Sequence, residues 1–277
     1  MTGRDYYELL SSKLVAIYDE REASTIARYI IEDVTTHKFW SEEALNEQEK
    51  TILDHATEKL LRNEPWQYVG GYADFYGLKF NVCKHVLIPR PETEELVFLA
   101  LDIIKKEKLT SALDIGTGSG IIPITLAKKS SIVDVFAIDI SLDALEVAKS
   151  NAIKHDVDVK FSYADILDEK AWVKLPVVDM VISNPPYIIQ AEKHKMHPNV
   201  LDYEPHIALF VADDPLLFYK AIVKFTMNHQ KENCIILVEI NEKYAEEVCE
   251  MMQNSGLRDV FAIKDMQDKD RMVIARK

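Results

Sequence analysis

Three of the chain's eight glycines stand at alternate positions in one short segment, Ala112-Leu113-Asp114-Ile115-Gly116-Thr117-Gly118-Ser119-Gly120-Ile121. That spacing lets the backbone turn sharply and lets another molecule come close to it. The apolar run ahead of it, Ser111 to Ile115, reads as a buried strand, and Ile121 to Ala127 as a helix. A strand, a glycine turn and a helix in succession leave few folds open. The alternation continues. Strands are expected at Val133–Ile138, Val157–Phe161, Val177–Ile182 and Cys234–Glu239, and near Asp259–Ile263 and Arg271–Ala275. Helices are expected at Leu142–Ile153, Leu216–Met227 and Tyr244–Met252. The pattern predicts an α/β fold with a doubly wound, mostly parallel sheet of seven strands. The topological switch point of such a sheet lies at the carboxyl end of the strand that leads into the glycine turn.

The residues ahead of this region read differently. Tyr6, Tyr7, Leu10, Leu14 and Tyr18 fall at helical spacing, as do Ile26, Ile30 and Val34, and Ile52, Ala56 and Leu60. Asn63-Glu64-Pro65 stops the third of these helices. Residues 1–69 are therefore expected to form a small helical domain. From Gly70 the texture changes: Tyr76, Leu78, Phe80 and Val82 alternate with period two, and Val86-Leu87-Ile88 makes a second short apolar run. These predict a β-hairpin linker over 70–90. Pro91-Glu92-Thr93-Glu94-Glu95 then opens a helix whose acidic first turn suits the helix dipole, and the α/β domain runs over 91–277.

Composition narrows the partners. Lys and Arg number 33 against 46 Asp and Glu, a net charge of −13, which argues against a large nucleic-acid footprint and predicts no direct DNA binding. No apolar run approaches the roughly 20 residues that span a bilayer, and Met1-Thr2-Gly3-Arg4-Asp5-Tyr6 lacks a signal-peptide pattern. Cys83, Cys234 and Cys249 are scattered and read as reduced thiols. A cytoplasmic monomer without a membrane role is the expectation. His194 and His197 read as solvated loop residues, so no metal is expected, and Trp40, Trp66 and Trp172 read as packing residues.

Asp139 closes the strand after the glycine turn, 23 residues beyond Gly116, where a carboxylate can accept hydrogen bonds from both hydroxyls of a ribose. The alternative is a plain cap for the following helix. Dinucleotide sites favour Gly-x-Gly-x-x-Gly, with pyrophosphate on the helix N-terminus. Here the third glycine comes one position early, and Asp114 precedes the loop. A carboxylate there repels a pyrophosphate but suits a cofactor carrying ammonium and sulfonium charges. The Asp-x-Gly-x-Gly-x-Gly spacing resembles the first motif of the class I S-adenosylmethionine-dependent methyltransferases. By that resemblance Asp165 lies near the adenine amino group, and Ile166 lies against the ring.

The sharpest feature is Ser183-Asn184-Pro185-Pro186-Tyr187, directly after an expected strand and thus at the same sheet edge. Two prolines fix φ and remove two donors, so nearby carbonyl oxygens are presented rigidly. Asn184 adds a side-chain acceptor, and Tyr187 a flat face. Acceptors beside a stacking face suit a planar NH2 group, an amide or a base amine. Such nitrogens are poor nucleophiles because the lone pair is delocalised. Accepting both N–H protons raises electron density on nitrogen and aims its lone pair, and positioning of this kind supplies several kcal/mol.

Taken together, these residues resemble the release factor glutamine methyltransferases. The likeness also includes Glu64-Pro65-Trp66-Gln67-Tyr68-Val69-Gly70, Phe75-Tyr76-Gly77-Leu78, Leu87-Ile88-Pro89-Arg90-Pro91-Glu92-Thr93-Glu94, Tyr203-Glu204-Pro205, Glu239-Ile240 and the segment from Asp265 to Val273. The resemblance implies S-adenosyl-L-methionine as cofactor, bound by Gly116, Thr117, Gly118, Ser119, Gly120 and Asp139, with Asp165, Ile166 and Asn184 beside it. It implies the glutamine of the Gly-Gly-Gln motif of class I peptide chain release factors as substrate. Asn184, Pro185 and Tyr187 take the catalytic roles, Pro186 joins them in holding the amide, and Pro89, Arg90 and Glu92 shape the pocket entrance. The helical domain helps dock the release factor. Three departures stand out: Ile166 and Leu87 are aliphatic where some relatives carry an aromatic, and Asn241 follows Glu239-Ile240 where glycine is common. Asn-Pro-Pro-Tyr is shared with nucleic-acid amino-methyltransferases acting on adenine N6 or guanine N2, which form the alternative reading. A non-catalytic binding module would lack Asn184 or Tyr187, and both are present.

Overall fold

The computed structural model describes residues 1–35 and 37–277. The chain divides into two compact units, one formed by Met1–Tyr72 with His197–Tyr203, the other by Ala73–Met196 with Glu204–Lys277.

In the first unit, α1 (Gly3–Leu14), α2 (Glu20–Val34) and α3 (Glu47–Leu61) are followed by the short α4 (Trp66–Gly70). Both α1 and α3 open with reciprocal capping boxes, Thr2 with Asp5 and Asn46 with Glu49, which satisfy otherwise orphaned N–H groups. Leu10, Leu14, Ile30, Leu53 and Leu60 are fully buried together, each contributing about 2 kcal/mol through burial. The register of α3 differs from the sequence expectation. Ile52 is exposed, and Leu53, Ala56, Thr57 and Leu60 face the core, because this set fills the i, i+3, i+4, i+7 stripe better. Trp66 packs between Tyr29 and Tyr72, whereas Trp40 is 60% exposed with its ring edge-on to Phe39.

The hairpin strands are β1 (Tyr72–Phe75), which begins on the last residue of the first unit, and β2 (Leu78–Asn81) of the second. Positive φ at both Tyr76 and Gly77 makes the tight turn between them. The hairpin closes earlier than the alternation suggests, and Val86–Ile88 forms no strand. Phe75 and Phe80 instead bury against α5 (Pro91–Glu107), where Pro91 fits the first helical position. There follow β3 (Ser111–Ile115), α6 (Ile121–Lys129), β4 (Asp134–Asp139), α7 (Leu142–His155), β5 (Lys160–Tyr163), β6 (Met180–Ser183) and β7 (Ile188–Ile189). The short α8 (Pro198–Tyr203), part of the first unit, and α9 (His206–Leu209) lead to β8 (Phe210–Val211), which pairs with β7. The chain ends with α10 (Leu217–His229), β9 (Ile235–Glu239), α11 (Ala245–Asn254), β10 (Arg258–Lys264) and β11 (Asp270–Arg276).

The seven-stranded sheet runs β10-β11-β9-β6-β3-β4-β5, parallel except around β11. Alternate residues feed two cores. Leu113, Val181, Ile236 and Val238 meet Tyr219 and Ile222 of α10 and Val248 of α11. Ala112, Ile182, Ile235 and Leu237 meet Leu96 and Val97 of α5 and Ile122 and Ile124 of α6. Helices on both faces make the sheet doubly wound. Among the described residues, no helix is long and apolar enough to cross a membrane.

Candidate active site

Strand register explains why distant motifs meet. Ile115 of β3 pairs with Ser183 of β6 on one side and Ile138 of β4 on the other. The residues that follow, Gly116, Asp139 and Asn184, therefore leave the sheet side by side at its carboxyl edge. The Ser183 hydroxyl donates to the Ile115 carbonyl at 2.6 Å and ties the two loop origins together.

A cleft of about 270 Å³, partly open to solvent, occupies this edge. Gly116, Gly118, Asp139, Asp165, Ile166, Asn184, Pro185 and Pro186 line it. So do Leu87, Pro205 and Phe218. Thr117, Ser119 and Gly120 belong to the turn behind the wall, and Tyr187, Pro89, Arg90 and Glu92 also lie off it.

The three glycines serve two purposes. All have positive φ, which only glycine adopts freely. A Cβ at Gly116 or Gly118 would meet nothing within 4 Å, so these two leave space beside the cleft. A Cβ at Gly120 would stand 2.8 Å from Ile124 Cδ1 and 3.1 Å from Ala148 Cβ, so here glycine permits packing of α6 on α7. Gly116 and Thr117 N–H both donate to the Ile138 carbonyl. Asn151, fully buried on α7, donates to the carbonyls of Ser119 and Asn81 and accepts from Asn81 N–H, holding the turn against β2.

Two acids face this turn. Asp139 accepts from Gly118 N–H at 2.8 Å and Ser141 N–H at 2.9 Å. It does not cap α7; the Ser141 hydroxyl does, accepting from Ala144 N–H. Burial pushes its carboxyl up from the usual range, opposed by those backbone donors. Asp114 is 1% exposed, and neither of its oxygens has a hydrogen-bond partner. Burial pushes its carboxyl up to about 7, with the nearby Thr117 hydroxyl easing the rise and Asp139 adding to it. A buried polar group without a partner costs free energy and calls for an explanation at its site.

The second loop is organised by side chains. Asn184 Nδ2 donates to Thr93 Oγ1 at 3.1 Å, and Thr93 Oγ1 donates to Glu239 Oε2 at 2.7 Å. Thr93 lies in the first turn of α5 and Glu239 at the end of β9; both are buried. Burial pushes Glu239 up to about 7, opposed by Thr93 and by the Arg271 and Arg90 charges. Tyr187 is half-buried against the core under α10, and burial raises its phenol, so it stays protonated. Glu204, itself buried, accepts from Ile88 N–H and pairs with Arg90 at 2.6 Å, anchoring the Pro89–Arg90 corner. Sequence reasoning gave Thr93, Glu239, Glu204 and Asn151 no roles. The first three lie within the quoted family segments, but their function rests on contacts made across more than a hundred residues.

A methyltransferase small-domain family model matches residues 97–201. Solved structures with a similar fold include a methyltransferase from Pyrococcus furiosus (16% identity, TM-score 0.54, covering 81% of this chain and 98% of that one). The release factor glutamine methyltransferase of Bacteroides thetaiotaomicron is 42% identical over 228 residues, 81% of this chain and 80% of that protein. The one from Flavobacterium psychrophilum is 36% identical over 99% of this chain and 98% of its own length. The chain belongs to the release factor glutamine methyltransferase family. Membership makes it an S-adenosylmethionine-dependent methyltransferase with a Rossmann-like sheet.

Proposed function

We propose that the protein transfers a methyl group from S-adenosyl-L-methionine to the side-chain amide nitrogen, N5, of the glutamine in the Gly-Gly-Gln motif of class I peptide chain release factors. The observation that carries the reading is the Asn184 amide. Its nitrogen is engaged by Thr93, so its oxygen is left as an acceptor in a loop that lines the same cleft as Gly116 and Asp139. An acceptor in that place suits a carboxamide N–H, with the Pro185 carbonyl region as second acceptor. Tyr187, protonated, supplies a face and no base. The methylated amide cation is acidic enough to lose its proton unaided.

The turn fits the cofactor. Gly116 and Gly118 leave room for close approach, and Gly120, Thr117 and Ser119 hold the turn's shape. Asp139 retains lone pairs for ribose hydroxyls, and Asp165 and Ile166 bound the adenine side. The unpartnered Asp114 supplies a countercharge for the amino acid end. When bound, the cofactor would supply an electrophilic methyl on a sulfonium sulfur, with S-adenosyl-L-homocysteine as the leaving group. Pro89, Arg90 and Glu92, held through Glu204, frame the entrance. The net charge of −13 supports a protein substrate over free nucleic acid.

The test is mass spectrometry of tryptic peptides from a class I release factor incubated with the enzyme and labelled cofactor. One added methyl on the Gly-Gly-Gln peptide is expected. Label on DNA or rRNA, with none on the release factor, would replace this reading with the base-amine alternative.

A further inference from the structure

We infer that Thr93 and Glu239 are positioning residues that fix which face of the Asn184 amide meets the substrate. The inference rests on the reading of Asn184 as the amide acceptor and deepens it.

The argument is one of hydrogen-bond direction. A hydroxyl has one proton, and an ionised carboxylate can only accept. Thr93 spends its proton on Glu239 at 2.7 Å, so its oxygen can only accept from Asn184. It does so at 3.1 Å, which commits Asn184 Nδ2 to Thr93 and turns Oδ1 the other way. Thr93 and Glu239 are 1% and 2% exposed, so water does not compete for either bond. Without this relay the Asn184 amide can rotate by half a turn and offer N–H to the substrate's own N–H. That is a donor against a donor, and the amide nitrogen is neither held nor activated.

The surroundings keep the relay pointing one way. Glu239 is faced by Arg90 and Glu92 at the start of α5, by Arg271 of β11, itself paired with Asp265 at 3.1 Å, and by the Tyr187 phenol. The Tyr219 hydroxyl of α10 donates to the Glu239 backbone carbonyl at 3.1 Å and fixes the end of β9. The Thr93 donor and two arginines, against one further carboxylate, pull toward the ionised, accept-only form and oppose the burial that holds this group up to about 7. Protonating Glu239 gives it a proton to donate and frees Thr93 to donate toward Asn184, which erases the directional information.

The experiment compares full-length Thr93→Val, Thr93→Ser and Glu239→Gln with wild type on a release factor at saturating cofactor. Thr93→Val keeps the shape and removes the relay. Its kcat should fall about 100-fold, the scale of a misplaced catalytic contact, with cofactor Kd within threefold of wild type. Thr93→Ser restores the hydroxyl and should recover most of that loss. Wild-type kcat should fall on acidification below about 7, and Glu239→Gln should lack that limb. Independently of turnover, the Asn184 side-chain amide protons should exchange with water faster in Thr93→Val than in wild type. If Thr93→Val matches wild type in kcat and in exchange, the inference is wrong. If wild type methylates no release factor while exchange still responds to Thr93→Val, it is the proposed function that fails and the relay that stands.

Discussion

Two buried carboxylates stand near the carboxyl edge of the same sheet, and they have opposite surroundings. Asp114, on β3, has no hydrogen-bond partner on either oxygen. Glu239, on β9, holds the Thr93 hydroxyl and is faced by Arg271 and Arg90. Burial pushes both up to about 7. A lone buried carboxyl costs stability in the folded chain, and that cost is tolerated where a bound molecule completes the site. A carboxylate with a donor and two cations near it instead orders its neighbours. In the proposed reading the cofactor side is an unfinished shape, built from a backbone turn, the Asp139 carboxylate held by Gly118 and Ser141 N–H, and one unpaired acid. The proposed substrate side is a finished chain of side-chain bonds that sets a direction.

The comparison is tested hardest by removing the end of that chain. Asn184→Ala should lower kcat on the order of 1000-fold, as the loss of a precisely placed polar contact does, while calorimetry finds cofactor Kd within a few-fold of wild type. Loss of cofactor binding in this variant would merge the two sides into one. The glycine turn offers the next effect. Gly120→Ala forces positive φ on alanine and puts its Cβ 2.8 Å from Ile124 Cδ1, so unfolding should show about 3 kcal/mol of destabilisation. Gly118→Ala meets no atom within 4 Å, so it should cost only about 1 kcal/mol of stability while weakening cofactor binding at least about tenfold.

How much of this was legible in the sequence follows the same division. The glycine turn, Asp139 and the Asn-Pro-Pro-Tyr corner are local patterns, and strand order carries them to one edge; their meeting could be read from alternation alone. Strand and helix identities in the α/β region were readable because buried parallel strands are unbroken apolar runs. The stretch between β6 and α10 was not, since its two-residue strands and single-turn helices carry no period. Val86–Ile88 looked like a strand and instead leaves the Cys83–Val86 turn as irregular chain, with Val86 and Leu87 serving as a wall of the cleft. The different purposes of Gly118 and Gly120 were invisible, because sequence does not show what a Cβ would strike. Nor could the Thr93–Glu239 bond be seen, with its partners 146 residues apart.

Asp114→Asn sharpens the contrast through pH. The folded carboxyl titrates near 7 and the unfolded one near 4, so between these values the folded state holds the extra proton. Stability then falls as pH rises through that window. From pH 5 to pH 7, wild type should lose about 2 kcal/mol that Asp114→Asn does not lose, as seen in urea unfolding of the cofactor-free proteins. The same variant should bind cofactor more weakly. Equal pH slopes in the two proteins would mean that Asp114 is not an uncompensated group in the folded chain.

The smallest effect concerns the wall itself. Leu87 lines the cleft as an aliphatic residue beside Pro205 and Val86, away from the glycine turn in sequence and held in place through Ile88 and Glu204. If the two sides are separate in energy as well as construction, a change at Leu87 acts on the substrate amide alone. Leu87→Phe adds a ring face where a planar group is expected to lie, a gain of about 0.6 kcal/mol at the low end of aromatic contacts. The KM for the release factor should therefore fall about threefold, with cofactor Kd unchanged, in steady-state kinetics paired with calorimetry. A shift in cofactor Kd with KM unmoved would assign Leu87 to the backbone-built side, and the boundary between the two halves of the cleft would have to be redrawn through Val86–Ile88.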